Sequence, residues 1–308
     1  MIRYILLRLV WMFIILLAFM SVIFIMIIVI QERTYYNSID RIAPLIIEYF
    51  QWLKRIITTG NFGLSDLYLN VGVYEIFLRK LPVTIKLNLI AFFIYVPLGI
   101  MFGVIAAVNK NKRLDNIISL FTIIFASLPS FVMMFLVILL FGYYLRWFPT
   151  LYPAGDLKGV IQITGLVLPV IALVVEPIAT ITRLVRGELT EVLTSEHFVL
   201  ARVKGLTKRQ AIIRHGLRSG IIPVIPTIMS YMLTVFSGSL IVERIYSIPG
   251  TGQLFFNAIT IGNFDYNMIL MMTFVYTAVS LIAMFLVDLT YGIIDPRIRI
   301  GSRKRHFQ

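Results

Sequence analysis

Six long apolar stretches, separated by more polar segments that carry most of the charge, dictate what this chain can fold into. A helix crossing the hydrocarbon core of a bilayer needs about 20 mostly apolar residues, because each advances it by about 1.5 Å. The stretches run from about Tyr4 to Ile30, Val83 to Val108, Ile117 to Tyr143, Ile161 to Ile181, Ile221 to Val242 and Met268 to Leu289. In lipid the backbone must satisfy its own hydrogen bonds, which a helix does within one segment. The spacing therefore predicts an all-α membrane protein with six transmembrane helices in one domain spanning 1–308. Composition agrees: 59% of residues are hydrophobic and 14% charged, against roughly 25% charged in soluble domains. The first stretch lacks a small-residue cleavage site after a short apolar core, so it reads as a retained span.

The formal net charge of +13 is high enough to raise nucleic acid as a partner. The charges, however, sit between apolar runs instead of along one polar face, which points to membrane lipid and orientation and away from nucleic acid. Placing the N-terminus in the cytoplasm gives the inner side Arg3, Arg8, Lys110, Lys112, Arg113, Arg183, Arg186, the basic residues of 202–218, and Arg297 to Arg305. The short outer connections then hold only Arg146, Lys158 and Arg244, as the positive-inside rule requires. Both termini are expected inside and Gln31–Pro82 outside. In that outer segment Ile42, Leu45, Ile46, Tyr49, Leu53, Ile56 and Ile57 repeat at helical spacing, so a short helix is expected there.

Chemistry-bearing residues are sparse. There is no cysteine, hence no disulfide, thiolate metal site or thiol nucleophile. His197, His215 and His306 are scattered, and no cofactor or metal site is expected from them. No glycine-rich loop ends in Gly-Lys-Ser/Thr, so ATP hydrolysis is not expected in this chain. No catalytic pair lies in the spans. Glu176 is the one acid deep in an apolar stretch, and a charge there costs at least about 2.5 kcal/mol. It is therefore a candidate for a translocation pathway. Pro97, Pro129, Pro169, Pro177, Pro223 and Pro226 interrupt the spans, either as packing kinks tolerated by neighbours or as flex points. A secondary transporter or channel would show paired intramembrane charges and internal repeats; one acid and no clear repeat are present.

The segment Glu188–Ser219 is long for a connection and keeps helical spacing. Phe198, Ala201 and Leu206 form an apolar strip that Ala211, Ile212 and Leu217 continue. Gly205 breaks the run and Thr207 is placed to cap a second helix. Two short helices meeting at a glycine, ringed by Arg202, Lys204, Lys208 and Arg209, are expected. On pattern alone, a loop whose charges only set topology fits as well.

This run, Leu200-Ala201-Arg202-Val203-Lys204-Gly205-Leu206, followed by Arg214-His215-Gly216-Leu217-Arg218 and Ile222-Pro223, resembles the coupling loop of ABC importer permeases. The similarity is strongest to the oligopeptide/dipeptide/nickel family and covers nearly the whole chain. Met1 to Leu9 resembles the family's opening. Gly60-Asn61-Phe62-Gly63-Leu64-Ser65 and Leu81-Pro82-Val83-Thr84 resemble its outer loop, and Ser127-Leu128-Pro129-Ser130-Phe131 its third span. Val242-Glu243, Ile248-Pro249-Gly250-Thr251-Gly252 and Asp265-Tyr266 are similar to its last outer loop, and Asp295-Pro296-Arg297 to its ending. The short N-terminus and this ending resemble the first of the two permeases in such systems. Two departures stand out. Val199-Leu200-Ala201 occupies the place where the wider family often has Glu-Ala-Ala, and Asn61-Phe62 replaces Asp-Leu.

The resemblance implies a non-catalytic permease of the cytoplasmic membrane. Its implied partners are a second homologous permease, two ATPase subunits and an extracytoplasmic substrate-binding protein. It places ATPase docking in 188–219, at Ala201, Arg202, Lys204, Gly205, Leu206 and Arg209, and adds Ser127, Pro129 and Ser130 to Glu176 along the pathway. The implied cargo is an oligopeptide or dipeptide, with nickel or a metal chelate as the alternative within the family.

Overall fold

The computed structural model describes residues 2–35, 42–68, 71–153, 160–236, 239–260 and 264–294. Among them the chain is helical, with one isolated bridge between Leu64 and Gly72 and no strand. Four helices contain apolar runs long enough to cross a bilayer: α1 (Ile2–Tyr35), α3 (Val73–Val108), α6 (Val160–Thr194) and α13 (Tyr266–Ile294). They carry the first, second, fourth and sixth apolar stretches, and α3 and α6 overrun them. α3 starts before Val83 and passes through Pro82 and Pro97. α6 continues beyond Ile181 through Arg183, Arg186, Glu188 and Glu191. Hydropathy marks where lipid ends, and no proline lies between Ile181 and Thr194 to stop the helix there.

The third stretch is broken where one span was expected. α4 (Arg113–Ser127) and α5 (Ser130–Val137, continuing as a π-helical turn over Ile138–Tyr144) meet at 106°. Proline crowds the residue before it out of helical space, and Leu128 is extended at φ −83° and ψ 129°. The fifth stretch is also segmented. α9 (Leu217–Ile221) passes through a 3₁₀ turn at Ile222–Val224 into α10 (Ile225–Thr234), and α11 (Leu240–Ile245) follows separately. Pro223 and Pro226 each remove an N–H that a continuous helix would use. The described residues thus hold four unbroken candidate spans, or five if the bent pair counts as one.

The core is centred on α3 against α6. A Cβ on Gly99 would lie 2.7 Å from Cβ of Ile181, and one on Gly103 would lie 2.6 Å from Cβ of Val185. Two glycines four apart leave a flat strip into which those branched side chains settle, a packing mode suited to lipid, where close van der Waals contact drives helix association. The Thr182 hydroxyl donates to the Gly99 carbonyl across the same seam, at 3.2 Å. A second cluster joins Val73, Ile76 and Phe77 of α3 to Met268, Met271 and Met272 of α13 and to Leu254 of α12 (Thr251–Ala258). The strip expected in the first loop lies on α2 (Ile42–Thr59), where Trp52 packs on Met20 and Phe24 of α1.

These contacts define two ends. The amino ends of α3 and α13 share the second cluster, so their carboxy ends point together toward the other end. There Arg8 of α1 pairs with Asp288 of α13. There too Val108 packs against Phe198, Ala211 and Ile212. The tail 295–308 and Lys158, which enter the charge argument, lie outside the described residues.

Candidate functional site

Two places collect the candidate residues. The first is a cavity of about 560 Å³ between α3, α5, α6, α10 and α11. Its polar lining comes from Asn88, Tyr95, Ser130, Glu176, Tyr231, Thr234 and Ser239. Glu176 sits one residue before Pro177, and its Oε1 accepts from the Thr180 hydroxyl at 2.9 Å. The Tyr95 and Tyr231 rings meet edge to face with centroids 5.5 Å apart. Ser130 reaches this cavity because the bend at Leu128-Pro129 turns α5 toward α6. Ser127 and Pro129 do not line it: Ser127 bonds back to the Ile123 carbonyl at 2.7 Å, and Pro129 forms the bend itself. Of the residues lining this cavity, the sequence singles out Glu176 and Ser130, whereas Tyr95, Tyr231 and Asn88 are there ordinary polar or aromatic residues of apolar stretches.

The second place is the corner after α6. Ser195 caps α7 (Glu196–Val203) through the Phe198 N–H. Lys204 and Gly205 then turn the chain, with Gly205 at φ +91°. Thr207 and Gln210 form a reciprocal capping box that starts α8 (Lys208–Ala211), which satisfies two donors a helix start would otherwise leave open. α8 runs on through a π-helical segment, Ile212–Gly216, into α9. Arg202, Lys204, Gly205 and Arg209 are exposed, and Leu206 is half-buried against the cluster around Phe198. Ala201 is only 7% exposed, so its methyl faces this chain and not the surroundings. What α7 presents outward is Val199, Leu200 and Val203, exposed by 53%, 52% and 77%. The sequence marks Val199 and Leu200 only as departures from the wider family's Glu-Ala, and Val203 not at all.

Away from both places, motif residues between α11 and the start of α13 form a buried polar cluster with residues of α3 and the loop before it. Glu243 is fully buried and its Oε2 accepts from the Gly252 N–H at 2.6 Å. Thr84 accepts from the Thr251 N–H at 2.8 Å, and Asp265 accepts from the Ser65 hydroxyl and from the Met268 N–H. These acids pin loops to α3 and α13, which is structural work. Among the described residues no group of three or more His, Asp or Glu stands ready to hold a metal.

The family model described as the binding-protein-dependent transport system inner membrane component matches residues 99–300. The oligopeptide transport system permease protein OppB of Haemophilus influenzae is 35% identical over 256 residues, covering 83% of this chain and 81% of that protein. The dipeptide transport system permease protein DppB of Bacillus subtilis is 36% identical over 271 residues, covering 88% and 84%. In fold, the chain is similar to a solved structure of the MetNI methionine ABC transporter in an inward-facing conformation. The TM-score is 0.52 at 18% identity, covering 75% of this chain and 98% of that one. A secondary transporter or channel is thereby set aside: this chain is a multi-pass cell-membrane protein belonging to the inner membrane components of binding-protein-dependent transport systems.

Proposed function

We propose that this chain is the first of two permeases in an ATP-driven importer of oligopeptides or dipeptides. Its cavity around Glu176 is part of the translocation pathway, and its α7–Gly205 corner is the seat of an ATPase subunit. The observation that carries the reading is the outward face of α7. Val199, Leu200 and Val203 are apolar and exposed in a segment flanked by Arg202, Lys204, Lys208 and Arg209. An apolar helix face of this kind, rimmed by charge, suits a partner's groove. A peptide cargo follows from the two relatives, both named for peptide transport; neither name speaks for the metal-chelate alternative. The inner orientation of both termini is supported by the gathering of Arg8, Lys110, Lys112, Arg113 and the α7 corner at one end.

The test is uptake by the reconstituted assembly: this chain, its partner permease, two ATPases and the binding protein, in proteoliposomes loaded with ATP. Labelled di-, tri- and pentapeptides should accumulate only when both ATP and the binding protein are present. Accumulation of nickel with no peptide uptake would overturn the cargo. Peptide uptake that persists without ATP would overturn the importer class.

A further inference from the structure

Given the pathway reading, on which this step rests, we infer that the Glu176 cavity is a binding site for an organic ammonium group, the charged amino end of a passing peptide. Glu176 is the acid of the cavity, and among the described residues no Lys or Arg lines it. The ion pairs of the described residues, Arg8–Asp288, Arg79–Glu75 and Arg186–Asp115, leave Glu176 out. Its Oε1 accepts from a neutral hydroxyl, that of Thr180, and the neutral Tyr231 hydroxyl stands beside it. A carboxylate in such surroundings is costly until a cation arrives, and the cavity has room for one to arrive.

The aromatic partners narrow the chemistry. Tyr95 lies beside both Tyr231 and Glu176, and Tyr231 faces Thr180 and Glu176. Two tyrosine rings meeting edge to face beside a carboxylate offer an ammonium both charge and the negative faces of π systems. A bare divalent cation would want several oxygen or nitrogen ligands, and among the described residues no group of three or more acids or histidines supplies them. The remaining wall is apolar, with Ala91, Met134, Leu173 and Leu240, which tolerates varied side chains behind one fixed charge. A volume of about 560 Å³ suits a short stretch of peptide. The site would thus read the feature all unmodified peptides share and ignore what differs among them.

The chain has no cysteine, so Ser130→Cys places one reporter thiol in the cavity, with the unaltered chain in the same assembly as background. In the full importer, its modification by a cationic thiosulfonate reagent should outpace that by an anionic reagent of similar size. Glu176→Gln should lower this preference by about fivefold or more, the effect of one nearby carboxylate even through a water-like dielectric, while Glu176→Asp should retain it. With Glu176 intact, millimolar trialanine should slow the cationic reagent, and N-acetyl-trialanine should not. This comparison needs no substitution at Glu176, so a variant that fails to assemble leaves the inference testable. Equal protection by both peptides would overturn ammonium recognition while leaving the pathway reading standing. Protection by neither, together with normal uptake in Glu176→Gln, would sink both. Protection by nickel alone would replace the ammonium with a metal ion.

Discussion

Gly205 holds a backbone conformation that residues with a Cβ avoid, at φ +91°, yet a Cβ built there meets nothing within 4 Å. The constraint is therefore on the turn and not on space. Gly205→Val should strain the corner by on the order of 1–3 kcal/mol, leave the helices inserted, and lower both ATPase co-purification and uptake. Gly103 is the opposite case: its backbone is ordinary helix, and its missing side chain is what lets α3 touch α6. Gly103→Leu should force the seam apart, at a cost of about 1–3 kcal/mol or more, read as a lower Tm of the detergent-solubilised protein. Ala201 belongs with Gly103. Because its methyl is turned into the chain, Ala201→Glu should disturb the corner's own packing, and a loss of docking in that variant would not by itself locate the interface.

At the scale of elements, the cleaner probe is α7. Val203→Asp and Leu200→Asp alter side chains that this chain leaves exposed, so the Tm should stay within experimental scatter while co-purification of the ATPases falls. A Tm drop with docking intact would show that the face serves folding instead. A second junction fastens α4 to α6. Asp115, 1% exposed, takes Nε and Nη2 of Arg186 at 2.5 and 2.9 Å and the Asn111 N–H at 2.8 Å. A double-mutant cycle on Asp115→Asn and Arg186→Gln should return a coupling on the order of 1–3 kcal/mol. The elements were unevenly legible in sequence. The helices α1, α3, α6 and α13 announce themselves as long apolar runs, and Gly205 and Thr207 mark the turn and cap of the corner. The bend after α4 and the segmentation between α9 and α11 were signalled by Pro129, Pro223 and Pro226, but periodicity cannot tell a kink from a break. Tyr95 and Tyr231 lie on α3 and α10, far apart in sequence. Only the packing of α3, α6 and α10 around one cavity makes them neighbours of Glu176.

For the molecule as a whole, the expected orientation can be checked by thiol labelling, since no native cysteine in this chain competes. A cysteine at Thr58, exposed on α2, should react with an impermeant reagent in intact cells. One at Lys112, exposed between α3 and α4, should react only after the membrane is opened. The reverse pattern would invert the topology. One further consequence follows from the continuity of α6 from Val160 to Thr194. The same helix carries Glu176 at the cavity and delivers the chain to Ser195, the cap of α7, about 28 Å further on at ~1.5 Å per residue. A hydrogen-bonded helix hardly stretches, and along that length Pro177 is the single proline at which it can yield by bending. A displacement imposed at α7 along the helix axis therefore reaches the cavity with little loss, except what bending at Pro177 absorbs. On the proposed reading, cavity and ATPase seat are geared on one shaft, so neither should move while the other stays still.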